Sequence, residues 1–127
     1  NTMKEMSKLG EAEASNTQGI ALKPYNAEAH NNVGITLQEQ GRLEEAEESL
    51  RQAIALNHVF APAHNNLGAT LKERDRLGEA EASLRQAIAL KPDYAEAHSN
   101  LCITRKELGR SEEAAVSYKK ALEIKPD

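Results

Sequence analysis

A segment of this chain repeats itself every 34 residues, and that period limits the possible folds more than any other feature. Residues 27–60, 61–94 and 95–127 align without gaps. GRLEEAEESLRQAIAL (41–56) returns as DRLGEAEASLRQAIAL (75–90), and more loosely as GRSEEAAVSYKKALEI (109–124). Residues 1–26 enter the same frame partway, since TMKEMSKLGEAEAS (2–15) follows TLKERDRLGEAEAS (70–83). The chain therefore reads as one domain, 1–127, with a partial unit at 1–26 and three units after it. A unit this short cannot bury an apolar face alone, so neighbouring units must stack.

Each unit carries two helical stretches. In 61–94 the first spans about 61–74, with His64, Leu67, Gly68 and Leu71 at helical offsets on one face. A break follows at Asp75-Arg76, where the neighbouring units have Gly41-Arg42 and Gly109-Arg110. Glycine suits a helix C-terminus there. The second helix spans about 78–90, burying Ala80, Leu84, Ala87 and Ile88, and Lys91-Pro92-Asp93 stops it. With three Tyr, one Phe and no Trp, the interior must be filled by Ala and Leu, which favours closely packed helices over a sheet.

This pattern resembles the tetratricopeptide repeat, on Leu67, Gly68, Leu71, Ala80, Leu84, Ala87 and Pro92 in the clearest unit. The first full unit matches with Val33, Gly34, Leu37, Ala46, Leu50 and Ala53, and the last with Leu101, Ala114, Tyr118, Ala121 and Pro126. The resemblance implies an all-α fold, a right-handed superhelical solenoid of antiparallel helix pairs with the first helices on its concave side. Departures are His30, His64 and His98 at large-residue positions, Cys102 in place of glycine, and Arg105 in place of leucine. In the partial unit, Asn16 and Gly19 predict a weaker helix.

The stripe opposite the packing face of each first helix should line the groove. It places Asn32, Asn66 and Asn100 in a ladder, with Asn31, Asn65 and Ser99 beside them. Ile35, Ala69 and Ile103 form an apolar floor, and Lys72 and Lys106 are the groove's cations. An Asn amide offers one acceptor and one donor group, the complement of a peptide unit. Such a ladder can hold an extended chain by its backbone. It is similar to the Asn ladder of O-linked N-acetylglucosamine transferases, a likeness carried by Asn32, Asn66 and Asn100 alone. A clamp for a terminal carboxylate is disfavoured, because Lys72 and Lys106 each adjoin a glutamate.

No catalytic constellation emerges, and no cofactor or metal is expected. Successive helices lie about 8–10 Å apart, too far for equivalent His residues to share one ion. The three His read as structural, with ring N–H groups that need partners. Cys102, four residues after His98, reads as a packing residue. The pairs Glu44-Glu45, Glu47-Glu48 and Glu112-Glu113 read as a solvated outer face favoured by the helix dipole.

With 16 basic and 20 acidic residues the net charge is −4, which disfavours nucleic acid as a partner. No apolar run reaches membrane-spanning length, so no membrane association is expected. The single Cys excludes an internal disulfide and identifies no compartment. A soluble, cytoplasmic chain is the expectation. The expected role is a scaffold or adaptor that binds a polypeptide segment or partner protein. The alternatives are a structural spacer and the recognition arm of a larger glycosyltransferase. End-to-end or swapped self-association is also expected, because Val116, Tyr118, Leu122 and Ile124 would be partly exposed on the last helix.

Overall fold

The apolar residues of the three full units recur at helical spacing, and these units form helices there. The computed structural model describes residues 26–126, so the partial unit and its weak helix lie outside the described residues. Six helices are present among them: α1 (Ala27–Glu39), α2 (Leu43–Leu56), α3 (Ala61–Glu73), α4 (Leu77–Leu90), α5 (Ala95–Glu107) and α6 (Ser111–Ile124). The expected boundaries in the middle unit, 61–74 and 78–90, fall within a residue of α3 and α4.

Each first helix ends in the same way. At the end of α1, the Arg42 N–H donates to the Leu37 carbonyl and the Gly41 N–H to that of Gln38, both at 2.9 Å. This six-to-one and inner pair of bonds satisfies carbonyls that the helix end would orphan, and it requires a left-handed residue at the turn. Gly41 (φ 79°), Asp75 (φ 64°) and Gly109 (φ 82°) occupy that position. Asp75 alone has a Cβ there, and it is exposed. An Asp75→Gly variant is therefore expected to be more stable by about 0.5–1 kcal/mol, measured by urea denaturation. Loss of stability would show that the Asp side chain contributes something beyond the turn.

The second helices have no side-chain cap at Arg42, Arg76 or Arg110. Their arginines instead reach forward to a first-turn glutamate: Arg42 to Glu45 at 2.7 Å, Arg76 to Glu79 at 2.6 Å and Arg110 to Glu113 at 3.5 Å. Acidic side chains at this end are favoured by the helix dipole.

Within a unit the two helices meet at a glycine. A Cβ on Gly34 would stand 2.6 Å from Leu50 Cγ, and one on Gly68 would stand 2.6 Å from Leu84 Cγ. Both leucines are fully buried. Between units, Leu50 packs with Leu67, Leu71 and Ala80, so one cluster joins α2, α3 and α4. The backbones of the first helices α1, α3 and α5 approach one another in turn, whereas those of α2, α4 and α6 stand further apart and meet only through side chains. The stack is therefore curved, with the first helices on its inner side. The third unit departs at the crossing: Cys102 takes the glycine's place, and Tyr118, which takes the leucine's, is 57% exposed.

Candidate functional site

The inner wall is built from one edge of α1, α3 and α5. Asn32 is exposed there, and Asn66 and Asn100 are half-buried. Ile35 and Ala69 are half-buried beside them, and Ile103 is exposed. Lys72 is half-buried and Lys106 exposed one turn further on.

The flanking positions do not follow the expectation. Asn31 and Asn65 are buried, Asn65 completely, and only Ser99 is exposed. Their carboxamides are occupied between units. Asn66 Nδ2 donates to Asn31 Oδ1 at 3.0 Å, and Asn100 Nδ2 donates to Asn65 Oδ1 at 3.1 Å. Each bond ties one first helix to the next. The Asn65 Nδ2 is buried without an acceptor at hydrogen-bond distance, close enough to the Tyr94 hydroxyl to act on it. Burial pushes the Tyr94 hydroxyl above its ordinary value and Glu96 adds to this, while the Asn65 amide opposes both.

These inter-unit bonds do not exhaust the amides. Asn66 and Asn100 each keep Oδ1 and one N–H, and among the described residues Asn32 makes no hydrogen bond that spends its amide. Gln38 Nε2 extends the series by donating to Glu73 Oε2 at 3.3 Å. One further column escaped the helical wheel. Thr36, Thr70 and Thr104 are buried, and the Thr70 and Thr104 hydroxyls donate to the Asn66 and Asn100 carbonyls at 2.9 and 2.8 Å. Their recurrence in the same register is the signal that could have found them.

The histidines hold loops. His64 Nε2 lies 2.9 Å from the His58 carbonyl and His98 Nε2 lies 2.9 Å from that of Pro92. A carbonyl only accepts, so Nε2 carries the proton. Each ring thereby pins the start of a first helix to the connection before it. His30 is buried at the equivalent position.

The outer face also differs from expectation at one residue. Glu48 is exposed, but Glu47 is buried. It receives Arg51 at 2.9 Å, Arg74 at 2.5 Å and Arg76 at 2.8 Å, the last two from the next unit. Its counterpart Glu81 receives Arg105 at 3.1 Å and also Arg110. The apparent solvated pair therefore contains an inter-unit link, and Arg105 belongs to that link.

Helix hairpins stacked with their first members on the inner side define a helical-repeat solenoid. Tetratricopeptide repeat profiles match residues 27–58 and 71–127. The chain belongs to the tetratricopeptide repeat family. No curated protein matches it in sequence. Among solved structures, a crystal structure of MamA is 26% identical, with a TM-score of 0.85 over 96% of this chain and 71% of that one. A second MamA crystal structure superposes with a TM-score of 0.83 at 26% identity, over 96% of this chain and 67% of that one. The first tetratricopeptide domain of Spaghetti (RPAP3), bound to the HSP90 peptide SRMEEVD, is 24% identical. Its TM-score is 0.79 over 80% of this chain and 81% of that one. Among the described residues, no helix is long and apolar enough to cross a membrane.

Proposed function

We propose that this chain is a protein-interaction module that holds an extended polypeptide along its concave groove, in a scaffold or adaptor role. The observation that carries the reading is the aligned series Asn32, Asn66 and Asn100. The inter-unit bonds hold the last two at fixed positions while each keeps an acceptor and a donor for the groove. A rigid amide binds with less entropy loss than a free one. Ile35, Ala69 and Ile103 add apolar contact that does not depend on the partner's sequence. The likeness to the ladder of O-linked N-acetylglucosamine transferases supports backbone gripping, and it rests on these three asparagines only. The peptide-bound relative supports polypeptide as the ligand class.

The test is binding of a library of extended peptides to the wild type and to Asn→Ala variants at 32, 66 and 100. Asn32→Ala is the cleanest single change, because it removes no internal bond among the described residues and should leave stability within about 0.5 kcal/mol. Each lost ligand bond is worth about 0.5–1.5 kcal/mol, so single variants should bind about 2–10-fold more weakly and the triple variant far more so. Equal binding by the triple variant and the wild type would show that the groove is a spacer's polar wall.

A further inference from the structure

On the opposite side of the molecule, α4 and α6 stand apart over α5. The groove between them encloses about 600 Å³. Its floor is apolar, with Ile88 from α4, Leu101 from α5 and Val116 from α6, the last 67% exposed. Its rim carries three exposed cations, Arg85, Lys119 and Lys120. The one rim carboxylate is Glu123, which meets Lys120 only at 4.0 Å.

The preceding unit provides an internal comparison. There the equivalent of Arg85 is Arg51, which is engaged by Glu47 at 2.9 Å and by Glu79 at 3.6 Å. The corresponding carboxylates for Arg85 are Glu81 and Glu113. Both are diverted. Arg105 approaches Glu81 at 3.1 Å and Glu113 at 3.8 Å, and Arg110 engages the same two. Arg105 stands where the earlier units have Leu37 and Leu71. Arg85 has no ion pair among the described residues, and Lys119 has none there either. Lys120 and Val116 add a charge and apolar bulk where the preceding unit has Gln86 and Ala82. On a chain of net charge −4, cations gathered around an apolar trough are a local reversal of sign.

We infer that the groove between α4 and α6 is a second docking site, for an acidic amphipathic helix of a partner protein. An apolar stripe would cover Ile88, Leu101 and Val116. Flanking carboxylates would meet Arg85, Lys119 and Lys120. A helix lying in a groove presents anchors at i, i+3, i+4 and i+7, which suits a trough between two helical walls. Charge complementarity at the rim favours this occupant over a second copy of the chain, whose surface is mixed in sign.

The probe is a labelled helical peptide of about 18 residues, with leucines at i, i+3, i+4 and i+7, glutamates flanking that stripe, and alanine and glutamine on the far face. Fluorescence anisotropy should show saturable binding that weakens as salt rises. The combined variant Arg85→Gln/Lys119→Gln/Lys120→Gln should bind about tenfold or more weakly, given three exposed charge contacts of modest strength. All three side chains are exposed, so the variant should fold. Val116→Asp should weaken binding independently. Asn32→Ala, on the concave side, should leave it unchanged, which separates this site from the ladder. The inference is overturned if the peptide does not bind, or if the charge variant binds it as well as the wild type. It is overturned equally if a scrambled peptide of the same composition binds as tightly. Anionic vesicles binding in place of the peptide, or self-association that the peptide does not compete with, would assign the groove to another occupant and overturn it too.

Discussion

A Gly68→Ala variant is expected to be less stable than the wild type by about 1–3 kcal/mol, although alanine is the better helix former by up to about 1 kcal/mol. The reason is space. The new Cβ would stand 2.6 Å from Leu84 Cγ, 2.8 Å from Leu84 Cδ2 and 3.3 Å from the Ala80 carbonyl oxygen. Leu84 is fully buried, so it cannot turn away without displacing its own neighbours. Leu84→Ala alone should cost about 2–5 kcal/mol, as a buried leucine that leaves a cavity does. The double variant is the informative one. With Leu84 shortened, the methyl group introduced by Gly68→Ala enters vacated space, and the double variant should be no less stable than Leu84→Ala alone. The two changes then couple by more than about 1 kcal/mol. Urea denaturation of the four proteins measures this, and additive losses would refute the steric account. The third unit is the natural control. Cys102 already carries a Cβ at this position, and its partner Tyr118 is swung outward, so Cys102→Ala should change stability by less than about 1 kcal/mol.

The same crossing shows what could be read from the chain and what could not. Gly34 against Leu50 and Gly68 against Leu84 follow from the period, because both partners lie within one unit. The helix ends were legible for the same reason: Gly41, Asp75 and Gly109 mark turns whose hydrogen bonds span only a few residues. The groove residues were half legible. A helical wheel divides a helix into an inner and an outer stripe, as though one neighbour covered it. In a solenoid, α3 is also flanked by α1 and α5. Asn65 and Thr70 lie on those flanks and are fully buried, although the wheel put Asn65 in the groove and gave Thr70 no role. Glu47 was misread on the same grounds. Its neighbour Glu48 is solvated, but its own partners Arg74 and Arg76 are 27 and 29 residues away, in the next unit. Charges that recur once per unit should be paired across units before they are assigned to solvent. The duplicates Glu47 with Arg76 and Glu81 with Arg110 show that register.

Those links make the stack sensitive to acid. Burial by itself would raise the Glu47 carboxyl, but the hydrogen bonds from Arg51 and Arg74 and the charges of Arg51 and Arg76 outweigh it. The net value lies below the ordinary 4.5. Glu81 is lowered in the same way, burial opposing and Arg110 and Arg105 prevailing. The folded state thus holds both carboxylates ionised more firmly than the unfolded chain does. Their stabilisation is fully present above the unfolded value, and it is lost as pH falls through the lower folded value. The chain should accordingly keep its stability down to about pH 5 and lose it progressively below about 4.5, as far as these groups decide it. Glu47→Gln tests the assignment. At neutral pH it should cost about 1–3 kcal/mol, because three guanidinium groups lose their counter-charge and one of the two accepting oxygens becomes a donating amide. The lower part of that range is the better expectation, since Arg51, Arg74 and Arg76 are 50%, 30% and 36% exposed and water replaces some of what they lose. The variant should also show a shallower fall in stability between about pH 5 and pH 3, because one of the titrating carboxylates is gone. Denaturation midpoints collected across that range compare the two proteins. A variant as steep in acid as the wild type would mean that the acid response comes from elsewhere, and that Glu47 joins the units without sensing pH.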